Sequence, residues 1–485
     1  MLQLIVFIIT FIVLIIAYLY HKWTFWKRQD IPTDQSSRNG QIIHLIDQKC
    51  HQKYGRIVGY YEGIRQCLSI TDPNLIRKVL VTEFHKFANH RDLTLANEPL
   101  STAIFFQPYH QWRRIRAILS PFFTTGQLKS MKPIISKSLD LLIDKLKPKA
   151  EDNEILDFRL IFDSFTFDVI SKTTIGVDTD AINRPIGNQL FESVKSLIHI
   201  DMGFGIVLAF LFPKVQSLLN ISFFNTKSQY LIVNTLKRVI NERIANKVDV
   251  KDLLQMTIDA SVLSNKDNKN KSFKKLTKQE IYGQSLNYLA AGYETTATQL
   301  CFLCQYLALY SNYQKRLVDE IKSTFDDMSD ISYDKLMKIP FLDAFIKEVQ
   351  RINCSVSRIE RVVIEDVILD GIYLPKGTPI IIPIYAVHMD PDFYDEPNQF
   401  RPERWLPNSD YTVIDYTHLP FAVGPRNCIG MKFAVMEMKY AIVSLLINFE
   451  FVATDDTEKL IYDCNPSSQI ASPKHFWIQI KKRCH

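Results

Sequence analysis

The sequence has little cysteine and little net charge, and each shortage excludes a class of protein. The 485 residues include 8 cysteines, scattered along the chain, which is unlike the framework of a small disulfide-bonded secreted protein. The formal net charge of +6 is too weak and too dispersed for nucleic-acid binding, but it suits an acidic protein partner or an anionic membrane surface. We see no internal repeat and no low-complexity tract. The composition predicts a globular protein with a large core.

The N-terminus contains a long uncharged segment. Residues 2–20, LQLIVFIITFIVLIIAYLY, carry no charged side chain. As a helix they would span the hydrocarbon core of a bilayer. No small-residue cleavage site follows, and Lys22, Lys27 and Arg28 should keep the next residues on the cytosolic side. We therefore predict a transmembrane anchor at 2–20, a linker at 21–40 and one large domain at 41–485.

Apolar residues recur with helical spacing along most of this domain. Candidate helices cover about 120–147, 157–175, 226–247, 277–309, 311–326, 340–352 and 430–448. Strand patterns are few, near 56–70, near 371–385 and at the C-terminus. Residues 202–224 are very apolar but are interrupted by Pro213, which predicts core or a second membrane contact. The fold class is therefore predicted to be mainly α with a small β region.

Cys428 lies in the decapeptide FAVGPRNCIG, directly before a predicted helix. A thiolate at a helix start is stabilised by the helix dipole and by free N–H groups, which suits a nucleophile, a redox thiol or a metal ligand. The loop offers no His base and no resolving-cysteine motif. Gly424 and Gly430 would leave clearance around an axial ligand, and Arg426 could reach an anionic group on what the sulfur binds. A planar macrocycle with propionates, haem, fits these features.

A second segment places polar groups beside small ones. In AAGYETT, residues 290–296, Ala291 and Gly292 leave a helix without bulk where a large group could lie flat. Glu294 and Thr295 then put an acid and a hydroxyl beside that gap. The alternative is an ordinary helix contact whose polar groups bond to the backbone.

Two further residue pairs and one short segment are weak evidence when each is taken alone. Glu348 and Arg351 are spaced i, i+3 on one helical face, which usually means a surface ion pair. The segment PERW supplies a second arginine, Arg404. Trp112 and Arg116, spaced i, i+4, would present an indole and a guanidinium on one face.

Together, and in this order, these segments resemble the cytochrome P450 family. FAVGPRNCIG has every fixed position of the haem-binding pattern F-x-x-G-x-R-x-C-x-G, AGYETT resembles the oxygen-activation motif, and EVQR the E-x-x-R motif. Stretches such as WRRIRAILSPFFTTGQLKSM and HMDPDFYDEPNQFRPERW are similar to the animal family 3 subfamily A group. Two features depart from the family pattern. The proline-rich hinge after the anchor is reduced to Ile31-Pro32, and the proline usual after Arg351 is absent.

The resemblance implies a P450 fold and a set of residue roles. Cys428 would be the axial thiolate of haem b. The other residues expected to bind the cofactor are Trp112, Arg116, Ala291, Arg361, Phe421, Arg426 and Gly430. Arg91 could join the propionate site, although His90 competes for that position. Glu348, Arg351 and Arg404 would form a buried structural network, and Glu294 and Thr295 would deliver protons to dioxygen.

The resemblance also implies a reaction and partners. A monooxygenase inserts one oxygen atom of O2 into a lipophilic substrate, here a xenobiotic, a steroid or a fatty-acid-like molecule. Because we find no flavin or nicotinamide motif, electrons from NADPH would come through NADPH–cytochrome P450 reductase, with cytochrome b5 as a second partner. The expected location is the endoplasmic reticulum membrane, with the catalytic domain on the cytosolic face. Residues expected at the basic docking face are Arg113, Arg114, Lys129, Lys132 and Lys432; those at the substrate pocket are Phe105, Phe106, 202–224, Leu289, Ser357, Arg358 and Gln469.

Three other functions are compatible with part of this pattern. A haem-thiolate enzyme that isomerises a peroxide would need no reductase, but the retained Thr295 argues against it. A non-catalytic haem-binding protein is disfavoured by the acid–hydroxyl pair. A thiol hydrolase that uses Cys428 lacks its base. Reductase-dependent oxidation of a substrate would separate a monooxygenase from all three.

Overall fold

The fold is built mainly of helices, and a computed structural model describes residues 2–34, 42–91, 97–198, 224–246, 250–261, 275–327, 331–462 and 472–483. The helices are α1 Leu2–Trp23, α2 Ile43–Tyr54, α3 Pro73–Arg77, α4 Tyr109–Leu119, α5 Thr125–Glu151, α6 Phe158–Thr174, α7 Gln189–Ile198, α8 Thr226–Asn246, α9 Leu253–Asp259, α10 Lys278–Leu309, α11 Ser311–Thr324, α12 Tyr333–Leu336, α13 Pro340–Ile352, α14 Ile384–His388 and α15 Met431–Asn448. The strands are β1 Ile57–Glu62, β2 Arg65–Ile70, β3 Ile155–Asp157, β4 Arg358–Val362, β5 Val367–Leu369, β6 Ile372–Leu374, β7 Pro379–Pro383, β8 Phe449–Val452 and β9 Trp477–Lys482. The predicted class, mainly α with a small β region, is confirmed.

Helix α1 has the length and composition of a membrane span. Residues Gln3–Trp23 form the one helix among the described residues that is long and apolar enough to cross a bilayer, and its side chains are not buried against the rest of the chain. The helix runs three residues beyond the predicted anchor at 2–20.

The segment after α1 packs onto the domain, although it was predicted as part of a linker. Trp26 is fully buried, and a Cβ atom at Gly59 would lie only 2.3 Å from its Cγ. The Trp26 indole N–H donates to the Tyr60 carbonyl, 3.3 Å away. The Gly59 N–H donates to the Pro32 carbonyl at 2.8 Å. The part of the predicted linker that the structure describes after α1 is therefore attached to β1.

The strands form three small sheets. The largest has the order β1-β2-β7-β4, in which only β2 and β7 are parallel, with Leu68 opposite Ile380. A second sheet has the order β3-β9-β8, and β5 pairs with β6. An apolar cluster that contains Trp26 packs around the first sheet, while the main core lies among the helices.

Helix α10 passes through the main core. It begins with a capping box: the Glu280 N–H donates to the Thr277 hydroxyl at 3.2 Å, and the Thr277 N–H donates to the Glu280 carboxylate at 2.8 Å. It packs against α6, where the Thr166 hydroxyl donates to the Tyr293 carbonyl at 3.0 Å. Most of its residues are buried, and the buried ones include polar side chains such as Gln284 and Gln299.

Candidate active site

The loop 421–430 holds Cys428 immediately before α15. The Cys428 N–H donates to the Phe421 carbonyl at 2.9 Å, and the Asn427 N–H donates to the Gly424 carbonyl at 3.0 Å. Gly424 has φ of +80°, and a Cβ atom there would lie 1.9 Å from the Leu80 carbonyl oxygen. Gly424 therefore permits close packing against the Leu80 backbone, rather than the clearance around the sulfur that we expected of it. A Cβ atom at Gly430 meets nothing within 4 Å.

The Cys428 thiol is accessible, yet protein surrounds it closely enough to change its pKa. Burial raises the pKa of the thiol, and this is opposed by hydrogen bonds from the Gly430 and Met431 N–H groups and by the positive charge of Arg116. Arg116 holds the loop by donating to the Asn427 carbonyl at 2.9 Å and to its side-chain oxygen at 2.8 Å. A thiol that binds a metal ion loses its proton. The N–H donors and the nearby positive charge would stabilise the resulting negative charge on the sulfur.

Two connections place α10 across from this loop. Burial lowers the pKa of Arg116, and this is opposed electrostatically by Cys428 of the loop and by Tyr288 of α10, which both lie near its guanidinium. On the other side, the Ser355 hydroxyl donates to the Thr295 carbonyl at 3.0 Å, while the neighbouring Cys354 thiol contacts the Pro420 carbonyl at 4.0 Å. We call the space between α10 and the loop the cleft.

The accessible face of α10 includes Ala291 and Thr295. Ala291 is exposed and Thr295 is half-buried, within a helix whose next five residues are buried. The Thr295 hydroxyl donates to the Ala291 carbonyl at 2.7 Å, which keeps its oxygen at this face as an acceptor. Gly292 was expected to leave this face without bulk, so that a large group could lie flat against it. A Cβ atom on it would lie 2.7 Å from Ile170 of α6, so its missing side chain serves helix packing instead.

Glu294 lies on the other side of α10. It is 6% exposed, and its carboxylate accepts from Arg159 of α6 at 3.3 Å. The described residues show no hydrogen bond between Glu294 and Thr295. The acid and the hydroxyl, neighbours in sequence, thus point to different sides of one helix.

Two buried arginines, Arg426 in the loop and Arg361 in β4, have no carboxylate hydrogen-bond partner among the described residues. Arg361 donates to the Glu360 carbonyl at 2.7 Å, and Arg426 donates to the Gln107 carbonyl at 2.7 Å. Their remaining buried atoms, Nε of Arg361 and both Nε and Nη1 of Arg426, have no hydrogen-bond partner among the described residues. Burial lowers the pKa of Arg361 to about 10, and burial together with Arg361 lowers the pKa of Arg426 to about 9.

His90 belongs with these two arginines. Burial lowers the pKa of His90 well below its ordinary value, and Arg361 and Arg426 lower it further. We call His90, Arg361 and Arg426 the anion-site cluster. The guanidinium of Arg426 also lies 4.7 Å from the centre of the Trp112 ring.

Arg91 forms ion pairs outside the anion-site cluster. This favours the alternative that His90, rather than Arg91, belongs to the expected propionate site. Arg91 forms ion pairs with Glu62 and, at 2.7 Å, with Glu360. Two carboxylates therefore neutralise it. Its expected contribution to a propionate site is not supported by this geometry.

Glu348, Arg351 and Arg404 form the scaffold cluster, as we name it. Arg351 donates to the two Glu348 oxygens at 2.9 and 2.7 Å, and Arg404 Nε lies 3.4 Å from Glu348. The Trp405 indole N–H also donates to Glu348, at 2.8 Å. These three charged side chains are fully buried.

His388 links the scaffold cluster to the segment before the loop, a link that we did not predict. Its Nδ1 lies 2.9 Å from the Arg351 carbonyl, and its Nε2 accepts from the Leu419 N–H at 2.8 Å. These partners assign a neutral ring with the proton on Nδ1, and burial lowers its pKa well below the ordinary value. The sequence signal was only a histidine inside the segment HMDP.

Comparison with known proteins identifies the architecture. A family model described as Cytochrome P450 matches residues 31–478. The chain belongs to the cytochrome P450 family. It is similar to cytochrome P450 3A12 of Canis lupus familiaris, at 36% identity over 92% of this chain and 90% of the relative. It is also 36% identical to cytochrome P450 3A29 of Sus scrofa, over 86% of this chain and 83% of the relative. The protein is therefore a P450 monooxygenase, and the family's cofactor is haem.

The residues of this P450 fit haem. A group with two carboxylates would satisfy the unpaired guanidinium atoms of Arg361 and Arg426, while Cys428 would supply a thiolate ligand to its metal. Among the described residues no cluster of three or more His, Cys, Asp or Glu side chains could hold a metal ion. A single thiolate beside a haem requires no such cluster.

Several expected surface and pocket residues have partners in the structure. In the predicted docking face, Arg114 pairs with Glu280, and Lys129 pairs with Asp334 at 2.6 Å. Of the predicted pocket residues, Phe105 is partly exposed and stacks on His90. Leu289 and Ser357 are buried, and Arg358 is held by Asp47 at 2.6 Å. Gln469 and residues 202–223 lie outside the described residues.

Proposed function

We propose that this P450 uses haem b to oxidise a lipophilic small molecule, with electrons passed from NADPH by NADPH–cytochrome P450 reductase. Candidate substrates are xenobiotics, steroids and fatty-acid-like molecules. The observation that carries the proposal is the accessible Cys428 thiol, held by N–H donors opposite the Ala291–Thr295 face of α10. Bound haem would supply the iron at which dioxygen is split, so that one oxygen atom enters the substrate and the other leaves as water.

Each site residue then has a separate task. The Cys428 sulfur would donate electron density to the metal, and Arg361 and Arg426 would bind the carboxylates of the cofactor. The Thr295 hydroxyl, held by Ala291, would order a proton donor at the cleft face of α10. Because Glu294 points toward α6, its proton must reach Thr295 by rotation of the side chain or through ordered water.

Carbon monoxide binding tests the ligand. The reduced protein with carbon monoxide should show the red-shifted absorption band of a thiolate-bound haem, and Cys428→His should lose it. Cys354→Ser is a matched control, because the Cys354 thiol is buried close to the loop, where it contacts the Pro420 carbonyl at 4.0 Å. A Cys428→His protein that keeps the band would remove Cys428 from the metal site.

Thr295→Ala tests the oxygenase mechanism. Because the substitution leaves Cys428 and the helix intact, haem content should be retained. Product formed per NADPH consumed should fall, and hydrogen peroxide should rise, since proton delivery is disturbed. An enzyme that isomerises a peroxide would show neither NADPH dependence nor this change. Unchanged coupling with a good substrate would reduce Thr295 to a packing residue.

We also propose a membrane location for the protein, based on α1. We infer that α1 anchors the protein in the endoplasmic reticulum membrane with the catalytic domain on the cytosolic face, because Lys22, Lys27 and Arg28 follow the span. Cytochrome b5 is proposed as a second partner at the basic face. Protease added to sealed vesicles should digest the domain, and full protection would reverse this orientation.

A further inference from the structure

A buried polar cluster joins α6 to α10 behind the cleft, and its hub is Arg159. The guanidinium donates to Asp163 at 3.1 Å and to Glu294 at 3.3 Å. It also donates to the Thr298 hydroxyl at 2.7 Å and to the Ser472 hydroxyl. We call Arg159, Asp163 and Glu294 the Arg159 cluster. Asp163 is 3% exposed and Glu294 is 6% exposed, so the two acids are held in the protein interior.

The charges of the Arg159 cluster do not balance when both acids are ionised. One guanidinium faces two carboxylates, and one oxygen of each carboxylate is buried without a hydrogen-bond partner among the described residues. Two unsatisfied, negatively charged oxygens in a buried site are costly. A single proton on the pair of acids would remove the excess negative charge.

The neighbouring groups leave this imbalance in place. Lys195, an exposed residue of α7, lowers the pKa of Asp163 electrostatically, but the structure shows no ion pair between them among the described side chains. Tyr293 and Cys301 face the cluster from α10, and burial raises the pKa of both well above their ordinary values, so they stay neutral. Burial raises the pKa of Asp163 to about 6, Arg159 opposes this, and Glu294 adds to it.

We propose that Asp163 is a positioning residue for proton supply: it shares Arg159 with Glu294, so that the two acids together hold one exchangeable proton. The inference rests on the proposed role of Glu294 in delivering protons toward Thr295. A proton that leaves Glu294 breaks its O–H bond and leaves a second carboxylate beside Arg159. A proton from solvent then restores the pair, and no electrons are transferred.

The importance of Asp163 follows from what its removal does to Glu294. With Asn at position 163, Arg159 faces one acid only, so the guanidinium and the remaining carboxylate balance in charge. No excess negative charge then remains for a shared proton to neutralise. Because two interacting acids titrate as a pair, the exchangeable proton is a property of both carboxyls and is lost with either. An acid that titrates near the operating pH is also the most effective proton donor.

Infrared spectroscopy tests the shared proton without turnover. Full-length holoenzyme in detergent micelles should show a protonated-carboxyl C=O band that disappears as the pH rises through about 6, the value to which the Asp163 pKa is raised. Asp163→Asn should lack this titrating band, and Asp163→Glu should restore it. Glu437 is another buried acid whose pKa burial raises strongly, but its signal is common to all variants and cancels in difference spectra. A titrating band that persists in Asp163→Asn would overturn the proposal.

Coupling measurements test the role in the reaction. In the parent enzyme, product per NADPH should decline as the pH rises from about 6 to 8. In Asp163→Asn it should be about tenfold lower and independent of pH, within the factor of about 100 or more that general acid catalysis contributes. Asp168→Asn is the control: Asp168 is another buried acid of α6, but it pairs with Lys172 at 2.7 Å and accepts from Ser138 at 2.7 Å.

The outcomes separate this inference from the proposed function. If Thr295→Ala uncouples the enzyme but Asp163→Asn retains both coupling and its pH dependence, the inference fails and the proposed function stands. If neither variant uncouples the enzyme, the proton-delivery mechanism itself fails. Loss of the infrared band and of pH-dependent coupling in Asp163→Asn, with both restored by Asp163→Glu, supports the inference.

Discussion

Two groups of buried arginines lie in the same domain and differ in how their charge is neutralised. In the scaffold cluster, Glu348 contacts both Arg351 and Arg404, and backbone carbonyls take up further N–H groups of Arg351. In the anion-site cluster, no carboxylate hydrogen-bonds to either Arg361 or Arg426 among the described residues. A guanidinium that is buried with its acid is part of the scaffold, whereas one buried without an acid indicates where an anionic group binds.

Removing the acid of the scaffold cluster should have the largest effect. Glu348→Ala leaves Arg351 and Arg404 buried without their counter-charge, and we expect the free energy of unfolding to fall by about 3–5 kcal/mol. Chemical denaturation of the haem-loaded protein measures it. Glu403→Ala is the matched control, because Glu403 precedes Arg404 but pairs with Arg316 at the surface, where such a pair contributes about 0–1 kcal/mol. Equal losses in the two variants would contradict the distinction between clusters.

Removing a cation of the anion-site cluster should affect cofactor retention rather than folding. Arg426→Leu removes a buried charge that lacks an acid, so the haem-free protein should be no less stable than the parent. Haem should dissociate about 10- to 100-fold faster, since a hydrogen bond to a charged group contributes about 1.5–3 kcal/mol. Transfer of haem to an acceptor protein measures this rate. A large loss of stability in the haem-free variant would place Arg426 with the scaffold residues.

Arg91→Leu should have the smallest effect on the cofactor. Glu62 and Glu360 already neutralise Arg91, so we expect Arg91→Leu to accelerate haem loss much less than Arg426→Leu does. His90→Leu is the informative comparison, because His90 faces Arg361 and Arg426. If Arg91→Leu accelerates haem loss as much as Arg426→Leu does, the assignment of His90 to the anion-site cluster is wrong.

Much of the helical structure could be predicted from local sequence. The capping box at Thr277 and Glu280 marks the start of α10, one residue from the predicted boundary, and Pro340 opens α13 as predicted. The helix predicted from residue 120 begins at Thr125 instead, because Ser120–Phe123 form a separate 3-10 turn that contains a proline. Strand β3 was missed, since its three residues pair with β9 more than 300 positions later.

The predictions for the site also fall into two groups: those that depend on local sequence and those that depend on contacts between distant segments. The loop of Cys428 and the sequence of motifs around it are local patterns, so their residue types could be read directly, and the family that they indicated is confirmed. The individual roles of the site residues remain predictions. The choice between Arg91 and His90, the packing tasks of Gly424 and Gly292, and the acids around Arg159 involve segments far apart in the chain.

The sequence by itself determined the local features on which the chemistry of this protein depends. These are an apolar anchor, a helix with a capping box at Thr277, and a single cysteine in a glycine-containing loop before another helix. Only the tertiary structure decided which charges are neutralised. Neighbouring residues such as Glu294 and Thr295, or His90 and Arg91, point to different surroundings. The physical reason is that the energy of a buried charge depends on its contacting groups, and folding brings those groups from distant segments.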